Sequence, residues 1–174
     1  MPNEVPSTDP RPTIALVGAT AIAEQIASRA LRSGLNVVID DVSDARLETI
    51  SRSLHGLHSA PALTQSVESA IRAADFLIDT LPDDLEVKLE LFTLFDKFAK
   101  PNAIFITTGT IAIDDLAAIT FCPDRCIAVR FSTTAPNAND ITFELIAATE
   151  SSRQTVATCT NLFVHTLGFR AARV

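Results

Sequence analysis

Short apolar runs alternate with amphipathic stretches from residue 13 to the end of this chain. The runs are rich in Val, Ile, Leu and Phe, as is typical of strands buried on both faces. We predict strands at 13–17, 36–40, 62–64, 75–79, 103–107, 126–131, 142–147 and 169–174. Helical spacing of apolar residues between these runs predicts helices at 21–33, 44–54, 66–73, 82–99, 114–119 and 151–166.

Strands that alternate with helices in this way predict an α/β fold. We expect a Rossmann-like, doubly wound and mostly parallel sheet of about eight strands, with helices on both faces. The chain has 174 residues, which suits one domain. We predict a disordered tail over residues 1–12, where four prolines occur, and a single Rossmann-like domain over residues 13–174.

Composition narrows the classes of partner. Hydrophobic residues make up 47% and charged residues 20%, so the chain can form a packed core. The net charge of −7, with no basic run, argues against nucleic acid or an anionic membrane as the main partner. The N-terminal residues lack the features of a signal peptide, and no apolar run is long enough to span a bilayer, so we predict a cytoplasmic protein.

The cysteines do not form a recognisable metal motif. Cys122 and Cys126 have the wrong spacing for a zinc knuckle and lack a second ligand pair, and Cys159 lies far along the chain. We therefore predict no metal site and interpret all three as small buried or half-buried thiols.

The turn after the first predicted strand carries a modified dinucleotide-binding motif. Gly18 keeps the first glycine, but Thr20 and Ala23 replace the second and third. Ala23 is tolerated, whereas the branched side chain of Thr20 projects where a pyrophosphate would approach. Asp41 follows at the end of the second strand, where an acid accepts hydrogen bonds from the ribose and selects NAD over NADP. The alternative is that Asp40 or Asp41 only caps the next turn.

Further segments are similar to those of one enzyme family, and together with this turn they extend over nearly the whole chain. They are Ala74–Asp79 leading into Pro82–Phe92 and Leu94–Ala99, the Gly18–Gly34–Asp41 spacing, Pro123-Asp124-Arg125 and Phe143-Glu144-Leu145. In these segments the chain resembles the NAD-binding, N-terminal domain of the L-3-hydroxyacyl-CoA dehydrogenases. That family oxidises the 3-hydroxyl of an acyl-CoA with NAD, and it continues into an all-helical domain that the 174 residues do not include. The resemblance implies NAD as cofactor. It also implies a homo-oligomer or a partner subunit that supplies the missing domain.

The resemblance also assigns residues beside the cofactor and substrate. An acid and a lysine on the nicotinamide side of the cofactor match Asp83 and Lys88. The serine of a substrate-binding loop becomes Gly109 or Thr110, and the asparagine of that loop is lost. The glutamate that orients the catalytic histidine matches Glu144, after a loop about two residues longer than in the family.

The catalytic histidine of the family falls at Arg130. Arginine stays protonated at any working pH, so it cannot act as a general base. We predict instead a salt bridge from Arg130 to Glu144. The histidines of the chain are His55, His58 and His165, and we interpret all three as surface or partly packed residues.

Three functions remain open from the sequence. The first is an NAD(H)-binding domain of the 3-hydroxyacyl-CoA dehydrogenase type, related to fatty acid metabolism but without standard dehydrogenase activity, that is, a pseudoenzyme. The second is an active NAD-dependent oxidoreductase in which Arg130 binds the anionic group of a hydroxyacyl compound or a small hydroxy acid. The third is a protein-interaction module that binds no nucleotide.

Overall fold

One mixed sheet of eight strands organises the molecule, in the order β3-β2-β1-β4-β5-β6-β7-β8. The computed structural model describes residues 11–57, 59–133 and 141–172, so most of the predicted tail lies outside the described residues. The strands are β1 Thr13–Val17, β2 Asn36–Asp40, β3 Ala62–Thr64, β4 Phe76–Asp79, β5 Ile104–Thr108, β6 Cys126–Thr133, β7 Ile141–Ala147 and β8 Arg170–Ala171. Strands β1 to β6 pair in parallel, whereas β7 runs antiparallel to β6 and pairs in parallel with β8. The predicted fold class is confirmed.

Six α-helices connect these strands. They are α1 Ala21–Arg32, α2 Asp44–Ser53, α3 Val67–Ala73, α4 Leu85–Phe98, α5 Ile113–Ala117 and α6 Arg153–Thr160. Helices α1, α2 and α6 contribute buried residues to one core, and α3, α4 and α5 contribute to the core on the other face. Among the described residues, no helix has both the length and the apolar character needed to cross a membrane.

The predicted elements are confirmed, and most of their ends agree within two residues, with three larger differences. Helix α4 begins at Leu85 rather than at Pro82, because the Asp84 side chain accepts a hydrogen bond from the amide of Val87 and caps the helix. Helix α6 ends at Thr160 and continues as a π-helical segment over Asn161–Thr166. The last strand is shorter than predicted, and its final two predicted residues lie outside the described part of the chain.

A fully buried ion pair joins the centre of the sheet to α4. Lys88 Nζ lies 2.6 Å from Asp79 Oδ2, and both side chains have no exposed surface. The ammonium also donates to the carbonyl of Thr108 at 2.9 Å and lies 3.3 Å from the hydroxyl of Thr107. That hydroxyl donates to Asp79 Oδ2 at 2.7 Å, and the amide of Leu81 donates to Asp79 Oδ1 at 2.9 Å. Because all these bonds centre on the Lys88–Asp79 pair, they fix the ends of β4 and β5 relative to α4.

We expect Lys88→Met to lower the free energy of unfolding by about 3–5 kcal/mol, because it leaves the buried Asp79 carboxylate without a counter-ion. Urea unfolding followed by circular dichroism measures this loss. The matched control is Lys97→Met on the exposed part of the same helix, which should cost less than about 1 kcal/mol. Adding Asp79→Asn to Lys88→Met should recover part of the loss. A Lys88→Met variant as stable as the wild type would contradict this role of the ion pair.

Candidate nucleotide site at the carboxyl edge

The carboxyl ends of the parallel strands meet at one edge of the sheet, and this edge holds the residues that the sequence singles out. Gly18 follows β1, Asp41 follows β2, and Asp83 lies between β4 and α4. Thr110 follows β5, while Arg130 lies in the carboxyl-terminal half of β6. In open α/β sheets, ligands bind at this edge.

Gly18 makes the tight turn that the motif requires. Its φ of +104° lies in the region that favours glycine. A Cβ at this position would lie 3.1 Å from both the Thr80 hydroxyl and the Leu81 side chain. The Thr80 hydroxyl lies within hydrogen-bond distance of the carbonyl oxygens of Val17 and Gly18, at 2.9 and 2.7 Å. The turn therefore depends on Thr80, a residue that the sequence analysis did not identify.

Thr20 caps α1. Its hydroxyl accepts a hydrogen bond from the amide of Ala23 at 3.3 Å, so this side chain is directed back to the helix. Among the described residues, the amides of Ala21 and Ile22 have no protein acceptor. Free amides at a helix N-terminus bind phosphate, so the start of α1 still fits a pyrophosphate. Ala23 is fully buried in the core, as expected for the position where helix and strand pack closely.

Asp41 is fully occupied by protein donors. Its carboxylate accepts from the amides of Ala19 and Ser43, each at 2.8 Å. Arg46 adds a bidentate pair through Nε at 2.9 Å and Nη2 at 2.6 Å. Burial acts to raise the pKa of Asp41, but the hydrogen bonds from Arg46, Ala19 and Ser43 and the Arg46 charge hold it below its usual range. Asp41 thus caps the turn that follows β2, which is the alternative to ribose binding stated above. A ribose hydroxyl must displace Arg46 to reach the oxygens of Asp41.

A cleft of about 230 Å³ continues from this acid between β1, β2 and the α3–α4 layer. Gly18, Asp40, Asp41 and Arg46 line its polar side. Because ligand pockets for drug-sized molecules are about 300–1,000 Å³, this volume suits one flat ring system rather than a whole dinucleotide.

Asp83 joins the loops that follow β4 and β5. Its Oδ2 accepts from the Thr110 amide at 2.9 Å and from the Thr110 hydroxyl at 2.7 Å. Gly109 has a φ of +104°, and a Cβ there would overlap the Asp83 carboxylate. Burial acts to raise the pKa of Asp83, but the hydrogen bonds from Thr110 and Ile111 and the charge of Lys88 lower it. The structure therefore brings Asp83 and Thr110 together, with glycine required between the loops.

Lys88 lies beneath the carboxyl edge, although the resemblance places it on the nicotinamide side of the cofactor. Its ammonium is fully buried in the pair with Asp79, so it presents no surface to a ligand at the edge. The role of Lys88 beside a cofactor stays a prediction, and the observed contacts are those of a residue that holds the strand ends in place.

Arg130 and Glu144 are direct partners in the antiparallel pairing of β6 and β7. Both are exposed, and side chains of directly paired residues share one face of a sheet. Among the described residues, however, they form no ion pair within 4 Å, so the predicted salt bridge is wrong. The loop that joins their strands, residues 134–140, lies outside the described residues.

The cysteines and histidines are not among the residues that form the carboxyl edge. All three cysteines are free and buried, as predicted, and burial raises the pKa of Cys122 to about 11 and of Cys126 and Cys159 to about 12. His55 and His165 are exposed, while His58 is outside the described residues. Within the described ranges, no three His, Cys, Asp or Glu side chains could together hold a metal ion.

Arg46 and Thr80 are the site residues that sequence reasoning missed. Arg46 carried a signal, since it lies five residues after Asp41 in the first turn of a predicted helix. Thr80 carried none, because its contacts with the Gly18 turn depend on the pairing of β1 with β4.

Comparison with known proteins identifies relatives of this arrangement. A 3-hydroxybutyryl-CoA dehydrogenase from Bradyrhizobium diazoefficiens is 32% identical over 141 residues, which cover 71% of this chain and 48% of that protein. A 5-formyl-3-hydroxy-2-methylpyridine 4-carboxylate 5-dehydrogenase from Mesorhizobium japonicum is 27% identical over 165 residues, which cover 86% of this chain and 53% of that protein. The chain thus spans about half the length of these curated relatives.

Comparison with solved structures identifies the same kind of dehydrogenase. The crystal structure of (S)-3-hydroxybutyryl-CoA dehydrogenase from Ralstonia eutropha matches with a TM-score of 0.76 and 25% identity, covering 92% of this chain and 62% of that one. The family described as 3-hydroxyacyl-CoA dehydrogenase, NAD binding domain, matches residues 13–170. Since that match extends from β1 to β8, the chain belongs to the 3-hydroxyacyl-CoA dehydrogenase family and carries its NAD-binding domain.

Proposed function

We propose that this protein binds NAD(H) at the carboxyl edge and does not perform the standard 3-hydroxyacyl-CoA dehydrogenase reaction. The observation that carries the proposal is the contrast between the two parts of the edge. The nucleotide part keeps the Gly18 turn, the free amides of α1 and the buried Asp41. The reacting part has Arg130 where the family resemblance places a histidine base, and arginine cannot accept the hydroxyl proton.

NAD supplies the hydride acceptor in this family, and the residues of this chain would hold it. The amides of Ala21 and Ile22 suit the pyrophosphate, and Asp41 suits the ribose hydroxyls. The side chain of Thr20 is directed back to the helix, where its hydroxyl accepts a hydrogen bond from the amide of Ala23. Asp41 also disfavours a 2′-phosphate, which supports NAD over NADP.

A second candidate function follows from the exposure of Arg130. Its guanidinium has no acidic partner within ion-pair distance among the described residues. A free guanidinium at a ligand edge is suited to bidentate binding of a carboxylate. One relative is named for a pyridine 4-carboxylate, and others are named L-carnitine dehydrogenases. An NAD-dependent reaction on a small anionic hydroxy acid, completed by a second copy or a partner subunit, is therefore the alternative.

Calorimetric titration with NAD and NADH tests the cofactor site. We expect Asp41→Ala to weaken NAD binding by about tenfold or more, because a hydrogen bond to a charged group contributes about 1.5–3 kcal/mol. We expect Arg46→Ala to strengthen binding several-fold, since it frees two acceptor positions on Asp41. Arg52→Ala, an exposed arginine on the same helix, is the control and should leave the affinity unchanged.

The titration has two contrary outcomes. An absence of binding at millimolar nucleotide would overturn the cofactor proposal and favour the nucleotide-free interaction module. Unchanged affinity in Asp41→Ala would show that the ribose lies elsewhere.

Turnover assays test the catalytic part of the proposal. With NAD and an L-3-hydroxyacyl-CoA we expect no NADH formation by the wild type, because Arg130 at the histidine position cannot accept the hydroxyl proton. Measured turnover would refute this. Turnover with a small hydroxy acid that is lost in Arg130→Ala but retained in Arg153→Ala, an exposed arginine in α6, would instead establish the second candidate function.

A further inference from the structure

Asp40 is a buried carboxyl group at the end of β2. It is 6% exposed, and its Oδ1 has no hydrogen-bond partner among the described residues. A buried acceptor left unpaired costs free energy, and native structures contain few of them, so this oxygen calls for an explanation. The neighbouring Asp41, by contrast, has every acceptor position used.

The direction of Asp40 follows from its strand. Val38, two residues earlier on β2, packs in the core beneath α3 and α4, and alternate residues of a strand share a face. Asp40 accordingly lines the cleft of about 230 Å³ beside α4, next to Asp41. The other walls of this cleft are mainly apolar: Val17, Val67, Leu81, Val87, Leu91 and Leu94.

We propose that Asp40 reads the base of the bound dinucleotide by accepting a hydrogen bond from the 6-amino group of adenine. This inference rests on the proposed NAD binding, since Asp41 on the ribose would direct the attached base into the adjoining cleft. The apolar walls suit the faces of a purine, which are flat and apolar. In a nucleotide, the 6-amino group is the single hydrogen-bond donor of adenine, so an acceptor in the cleft selects that group.

The electrostatic surroundings agree with this role. Burial and the charge of Asp41 raise the pKa of Asp40 to about 6. The other charged groups that line the cleft are Arg46 from α2 and Glu90 from α4, and Arg46 is committed to Asp41. Asp40 is therefore an ionised acceptor above neutral pH that gains a donor when the base enters.

Calorimetry with two dinucleotides tests the inference. The probes are NAD and nicotinamide purine dinucleotide, in which hydrogen replaces the 6-amino group, both at about pH 8 so that Asp40 is ionised. We expect the wild type to prefer NAD by about tenfold or more, because the analogue leaves the carboxylate unpaired. Asp40→Val should bind the two dinucleotides equally. Glu86→Gln, which removes an exposed carboxylate of α4 that does not line the cleft, should keep the preference of the wild type.

The outcomes separate this inference from the proposed function. Binding of neither dinucleotide by the wild type would overturn both. Equal binding of the two by the wild type would overturn the base-reading role alone, as would an unchanged preference in Asp40→Val.

A measurement without nucleotide checks the state of Asp40. Its pKa is about 6 in the folded protein against an ordinary value of 3.8, so the folded state holds the proton more tightly. The free energy of unfolding of the wild type should therefore fall as pH rises from 3.8 to about 6. Above that range Asp40 is ionised in both states, and its destabilising contribution no longer changes with pH. Asp40→Asn removes the ionisation, so its free energy of unfolding relative to the wild type should rise over the same window. Urea unfolding across this range measures the difference, and a pH-independent difference would show that Asp40 is not perturbed.

Discussion

The buried ion pair between Lys88 and Asp79 is the contact on which the carboxyl edge depends. Two opposite charges without solvent are costly unless each is well coordinated, and here Thr107, Thr108 and Leu81 complete the coordination. The pair fixes where β4 and β5 end relative to α4. The loops that leave those strands are in turn joined by Asp83 and Thr110. The geometry of the exposed edge is thus set from the interior of the sheet.

A competition for one carboxylate governs the nucleotide part of this edge. Asp41 has two oxygens and accepts four hydrogen bonds, two of them from Arg46. The two backbone amides hold the acid in place, whereas the arginine, whose side chain is 56% exposed, can move. A ribose would therefore exchange an arginine for hydroxyl groups at the same oxygens. The acid is preorganised by the turn, but part of the binding free energy is used to release Arg46.

The two parts of the edge differ in how far they keep the chemistry of the family. A dinucleotide is held by backbone amides at a helix N-terminus and by one acid, and this chain supplies such groups in the amides of α1 and in Asp41. Proton transfer requires a side chain that can lose and regain a proton near neutral pH. Arg130 lacks that property, although it occupies the strand position directly opposite Glu144. Under the proposed function, the fold and nucleotide recognition persist where the reaction does not.

The sequence by itself determined the elements, the fold class and the positions of the edge residues. Buried parallel strands and amphipathic helices leave hydrophobic periods that can be recognised locally, whereas the Asp84 cap that sets the start of α4 was not predicted. Only the tertiary structure decided that Lys88 is buried and that Arg46 covers Asp41. It also decided that, among the described residues, Arg130 and Glu144 form no ion pair and Asp40 Oδ1 has no hydrogen-bond partner. Hydrogen bonds and ion pairs depend on which groups meet at distances of about 3 Å, and strand order and side-chain direction set those distances.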